Sequence, residues 1–141
     1  MLRMKHALAL IAAMALLVLG GCAGKQDSGP SDDALIAERL ISAKWFAKSA
    51  GVGTGEIMEF LADGTVRGYG GCNEFNGIYA VEDGKLLMGH IASTMALCGQ
   101  PTDADENAFF EFIEETLTVS LQGNSLTLTP PTGSARVFIA R

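Results

Sequence analysis

The sequence is poor in histidine, in basic charge and in long apolar runs. It has two histidines in 141 residues, His6 and His90. A Ser-His-Asp arrangement needs a histidine positioned by an acid, and His90 has no motif around a candidate serine. Sixteen Asp and Glu stand against ten Lys and Arg, for a net charge of −6. That balance argues against nucleic acid, which needs basic patches, and against electrostatic binding to anionic lipid heads. The longest apolar run, residues 7–19, is shorter than the roughly 20 residues that span a bilayer.

That run has a recognisable setting. Arg3 and Lys5 precede it with no acid, and Gly20, Gly21 and Cys22 close it. A charged start, an apolar stretch of this length and a small-residue end form an export leader. Leu19-Gly20-Gly21-Cys22 resembles the lipobox of bacterial lipoproteins. The resemblance implies cleavage before Cys22, lipid on its thiol and amine, and membrane attachment through that lipid, since multiple acyl chains anchor durably. Ala23, where an Asp would mark inner-membrane retention, implies the outer membrane, facing the periplasm. The expected organisation is a leader over 1–21, lipidated Cys22 with a flexible tether over 22–40, and a folded domain over 41–141. Residues 23–33 are Gly-, Ser- and Asp-rich with little apolar content to order them. Leu35, Ile36, Leu40 and Ile41 recur at helical spacing and suggest a short helical lead-in.

Removing the leader takes Arg3 and Lys5 and no acid, which shifts the net charge from −6 to about −8. About 100 residues remain for one domain with a modest core. Apart from Cys22, the cysteines are Cys72 and Cys98. In an oxidising compartment their simplest state is a disulfide, with a stabilisation of about 3–4 kcal/mol in the chain-entropy model. A free thiol pair and a metal site completed by His90 are the alternatives. No metal or other cofactor is expected.

Turn signals divide the domain into short strands. Asp63-Gly64, Asp83-Gly84 and Gly123-Asn124 read as hairpin turns. Strands are expected over 44–47, 56–61, 65–69, 78–81, 85–91, 117–121, 125–129 and 136–140, with a dense loop over 70–77. One helix interrupts the series after Pro101. Thr102 is its candidate cap and Asp103, Asp105 and Glu106 suit its positive end. Phe109, Phe112 and Ile113 form its apolar stripe. About seven or eight antiparallel strands and one packed helix make a β-dominated α+β fold, a small barrel or barrel-like roll.

Within the loop, Gly68-Tyr69-Gly70-Gly71-Cys72-Asn73-Glu74-Phe75-Asn76-Gly77-Ile78-Tyr79 resembles the signature of the META domain family, G-x-G-G-C-N-x-F-x-G-x-Y. That family includes the HslJ-like heat-shock lipoproteins. Trp45, Thr94, Cys98, Glu106, Phe109, Leu126, Leu128 and Phe138 stand where the family has its flanking residues. Ala47 stands where Leu is usual, and Met95 one place earlier than in the usual arrangement. The resemblance implies a lipocalin-like barrel and links to heat shock and novobiocin tolerance, but no catalytic residues. From the residues themselves, Asn73 and Asn76 suit turn bonding, while Phe75 and Tyr79 are expected to cover the core beside Cys72. The loop lacks the Lys-Ser/Thr of a phosphate-binding loop and does not open a helix. The expectation is a non-enzymatic envelope protein with a protein partner or a stress role. The alternative is a binder of a small apolar ligand inside the barrel.

Overall fold

The computed structural model describes residues 30–48 and 55–141. The leader, Cys22 and the start of the tether lie outside the described residues. Eight strands close a barrel in chain order. They are β1 (Lys44–Ala47), β2 (Ile57–Phe60), β3 (Thr65–Tyr69), β4 (Glu74–Glu82), β5 (Lys85–Ser93), β6 (Leu117–Gln122), β7 (Ser125–Thr129) and β8 (Arg136–Ala140). Every neighbouring pair is antiparallel, and β8 returns to β1 through Phe46↔Ile139 and its flanking pairs. The expected small antiparallel barrel is therefore the fold.

Strand alternation decides what fills it. Side chains of a strand point to opposite faces in turn. Trp45, Met58, Phe60, Val66, Phe75, Leu126, Leu128 and Phe138 are all buried, and they occupy the inner positions of their strands. Large rings from several strands meet there, so the interior is packed with side chains. Each such residue contributes about 1.5–3 kcal/mol on burial. The Asp83-Gly84 turn takes positive φ at both residues, 52° and 71°, the hairpin geometry whose twist matches its strands.

Two helices close the barrel: the expected packed helix, and a lead-in that is a full helix packed on the barrel. Helix α1 (Asp32–Ile41) begins inside the segment read as tether. Ser31 caps it by accepting from Ala34 N at 3.2 Å, and Asp32 and Asp33 place acid at its positive end. It packs because Leu40 is fully buried and the Trp45 indole donates to Leu40 O at 2.9 Å. Asp33 accepts from Asp83 N at 2.9 Å and Gly84 N at 2.8 Å, and Arg39 donates to Gly123 O at 2.6 Å. The helix thus spans the β4–β5 and β6–β7 turns. The apolar stripe was visible in the sequence; these polar contacts to distant turns were not.

Helix α2 (Thr102–Ile113) buries Phe109, Phe112 and Ile113 as expected. Thr102 does not cap it. Pro101 holds the cap position without a side-chain bond, and Asp103 instead accepts from Cys98 N at 2.9 Å and Gly99 N at 3.1 Å. The dense loop is shorter than expected, because β4 starts at Glu74. Phe75 points inward opposite Gly68 and draws that stretch into the sheet. Strand β5 bulges between its pairings with Asn76 and Ile78, with His90 at a φ of 52°.

Candidate functional site

The four residues between β3 and β4, Gly70 to Asn73, are the centre of a hydrogen-bonded joint. Gly71 has a φ of 120°, a region that side chains disfavour. A Cβ on Gly70 would stand 2.8 Å from Glu106 Oε1 and 2.9 Å from Phe110 Cζ, so the bare backbone there makes room for these two side chains of α2. Gly70 N also donates to Asn73 O at 2.8 Å, which folds the loop on itself.

Glu106 and Asn73 are each 5% exposed. Glu106 Oε1 accepts from Cys72 N at 3.1 Å and from Asn73 N at 2.5 Å, while Oε2 accepts from Asn73 Nδ2 at 2.7 Å. The Asn73 amide then reaches the segment after β5. Its Nδ2 donates to Ala96 O at 3.0 Å, and its Oδ1 accepts from Ala96 N at 2.7 Å and Thr94 Oγ1 at 2.8 Å. An asparagine amide has two N–H donors and two acceptor sites, and all are used. Ala96 has both its backbone groups bonded to one side chain, as a strand partner would bond them. Thr94 adds a backbone bond to Glu74 O at 3.0 Å.

The Cys72–Cys98 bridge fixes the far end of the same segment, with Cα atoms 6.0 Å apart. This resolves the alternatives in favour of the disulfide over a free thiol pair or a metal site with His90. Among the described residues no group of three or more His, Cys, Asp or Glu could hold a metal ion. The motif residues divide accordingly. Gly70, Gly71, Cys72 and Asn73 form the joint, Gly68 and Gly77 lie in paired strands, and Phe75 is 3% exposed with its ring 5.8 Å from those of Phe109 and Phe110. Tyr79 sits elsewhere than expected. It meets the Phe60 ring at 5.0 Å and donates to Leu61 O at 3.0 Å, toward the opposite end of β4. Asn76 is paired with Arg67 in the sheet and is not a turn residue.

The joint has a visible consequence. The pinned segment 94–98 presents Met95 at 93% exposure and Leu97 at 90%. Large apolar side chains are usually buried; here two are exposed, and the backbone between them is fastened at Ala96. In the sequence Met95 stands out only as a shifted family position, and Leu97 not at all. Their signal was two large apolar residues just before a bridged cysteine. Glu106 was read as a helix start; its buried role was hidden because its partners lie 33 and 34 positions away.

Two further features stand apart. Glu56, 4% exposed, accepts from Arg136 at 2.7 Å, and the Arg136 guanidinium lies 5.0 Å from the Phe112 ring centroid. Burial raises the Glu56 carboxyl above its ordinary pKa, against the opposing pull of Arg136. On the outer face of β1–β5 lies an open groove of about 710 Å³. Register places Lys44, Glu59, Arg67 and Asn76 in one cross-strand row, and Ile57, Tyr69 and Glu74 in the next. Glu59 Oε2 accepts from Arg67 Nε at 2.9 Å and faces Lys44 Nζ at 3.4 Å. The hydrogen bond from Arg67 leads the causes that hold the Glu59 carboxyl below its usual range.

Comparison with known proteins bears on the family and the fold. The family model described as the META domain matches residues 43–141. No curated protein matches the chain. Among solved structures, an NMR structure of a protein from Burkholderia xenovorans is 19% identical with a TM-score of 0.63, covering 99% of each chain. A second protein structure, also solved by NMR, is 22% identical with a TM-score of 0.62, covering 74% of this chain and 93% of that one. A crystal structure of a DUF4847 family protein from Bacteroides vulgatus is 16% identical with a TM-score of 0.52, covering 74% and 96%. At these identities the likeness shows the fold.

Proposed function

The chain belongs to the META domain family, and from that premise we propose that it is a non-enzymatic, lipid-anchored protein of the bacterial envelope that works by docking a protein partner on the segment 94–98. The observation that carries this reading is the display of Met95 and Leu97, 93% and 90% exposed, on backbone fastened by Asn73 and by the disulfide. A pre-ordered segment loses less freedom on binding than a mobile one, and burying two such side chains would add about 1.5–3 kcal/mol each. The joint itself supports a scaffold role and not a reaction. Its Asn73 amide has no free hydrogen-bonding valence, and its carboxylate is taken by three N–H groups.

The membrane attachment rests on Leu19-Gly20-Gly21-Cys22 behind an apolar leader, with the outer membrane as its destination through Ala23. The packed interior gives less support to an apolar ligand held inside the barrel. A stress or antibiotic-tolerance role follows from the family resemblance. The test is complementation of a deletion strain with the Met95→Ser/Leu97→Ser chain, scored for survival of heat and novobiocin. Loss of tolerance, with the chain present at normal level in the membrane fraction, supports the docking surface. Full tolerance in that strain sinks it. Labelling with a palmitate analogue, absent in Cys22→Ser, checks the anchor separately.

A further inference from the structure

The outer groove of β1–β5 differs in chemistry from the apolar segment beside it. Its floor is five strands in antiparallel register, so the backbone there is committed to the sheet and a peptide cannot add to it as a strand. Recognition falls to side chains, a mixture of charged and amide groups with the apolar Ile57, Phe75 and Ala92. The Arg67 side chain is 58% exposed. Its Nε bonds Glu59, and among the described residues its two Nη groups have no protein partner. Lys44, 54% exposed, shares the same Glu59 oxygen. Lys44 and Arg67 stand against two carboxylates across the groove, Glu59 and Glu74, so its charges balance on a chain whose net charge is −6.

The next row supplies a ring and further polar groups. The Tyr69 ring is within van der Waals reach of Gly55, where a Cβ would be 3.6 Å from it, and Tyr69 lines the groove together with Glu74, Asn76 and Ser93. The hydroxyl of neighbouring Thr94 is already committed to Asn73 and Glu74 N. An amphipathic ring beside forked amide, carboxylate and guanidinium groups suits the faces and vicinal hydroxyls of a sugar. The free guanidinium fork suits a carboxylate taken by two parallel hydrogen bonds. The groove, about 710 Å³, is of the size of small-ligand sites, roughly 300–1,000 Å³.

We propose that this groove is a binding site for an acidic saccharide, a short sugar chain bearing carboxylates, with Arg67 holding a carboxylate, Tyr69 carrying a ring face, and Asn76 and Glu74 bonding hydroxyls. The site needs neither the lipid on Cys22 nor the exposed Met95 and Leu97.

The test is saturation-transfer NMR on the full chain in detergent, with tetragalacturonate as the acidic probe and a neutral galactan tetrasaccharide as control. The expected result is transfer to the acidic probe, with affinity reduced about tenfold in Arg67→Ala and in Tyr69→Ala and about tenfold lower for the neutral sugar. Asn76→Ala, which leaves the Arg67–Glu59 bond in place, is expected to weaken binding about threefold. Circular dichroism confirms that each variant is folded. Absence of transfer at millimolar acidic probe overturns the proposal. So does equal binding of the two sugars, displacement by an equal concentration of inorganic phosphate, or undiminished affinity in all three variants.

Discussion

At one end of the barrel, α1 is fastened to the hairpin turns by Asp33 and Arg39, whose bonds to Asp83, Gly84 and Gly123 lie at or near the surface. At the other end, the loop after β3 is fastened to α2 by Glu106 and Asn73, each 5% exposed. Both ends use a carboxylate to collect backbone N–H groups from a turn. The difference is water. A donor released at the surface finds a water molecule, whereas a donor released in the interior keeps its full desolvation cost. The same bond chemistry is therefore expected to be dispensable at one end and critical at the other.

The largest expected effect is from Glu106→Ala. It strands Cys72 N, Asn73 N and Asn73 Nδ2, and the cost should be about 4 kcal/mol. Against a total stability of about 5–15 kcal/mol for a domain of this kind, the variant should unfold at a far lower urea midpoint. A midpoint within error of the parent would mean that the joint does not hold the fold.

How much of this was legible follows the same divide. The barrel was readable because hairpin turns are local signals: Asp63-Gly64, Asp83-Gly84 and Gly123-Asn124 announce themselves. The disulfide was readable by elimination among three cysteines. The Gly-Gly-Cys-Asn loop was found as a motif, yet its purpose was not. Asn73 acts on residues 21 to 33 positions away, and no periodicity encodes such a reach. Helix α1 was reduced to a lead-in because its apolar face is thin, with Leu40 its one buried residue. Its polar fastenings to turns 50 and 84 positions on are invisible in the local pattern. The outer groove was missed because only register reveals that Lys44, Glu59 and Arg67 form one row.

Replacing both bridge cysteines, Cys72→Ser/Cys98→Ser, should cost about 3 kcal/mol through the freed unfolded chain, less than the loss of Glu106. It also separates two fastenings of the same segment. Asn73 continues to hold Ala96 at both backbone groups, so hydrogen exchange at the Ala96 amide should stay protected in the folded variant. Exchange at the rate of an unstructured peptide would show that the bridge, and not Asn73, orders the segment that displays Met95 and Leu97.

The smallest effect belongs to the other end. Asp33→Ala frees Asp83 N and Gly84 N, but water reaches both, and the expected cost is about 1 kcal/mol. The helix should remain docked, because the buried bond from the Trp45 indole to Leu40 O is untouched and Leu40 stays in the core. The urea midpoint should therefore fall slightly with an unchanged slope, the sign of lost stability without lost structure. A steep loss, approaching that of Glu106→Ala, would break the comparison, since it would make an exposed carboxylate as critical as a buried one. A changed slope would do so in another way. It would mean that α1 leaves the barrel when Asp33 lets go, and that this end is held by its surface contacts and not by Leu40 and Trp45.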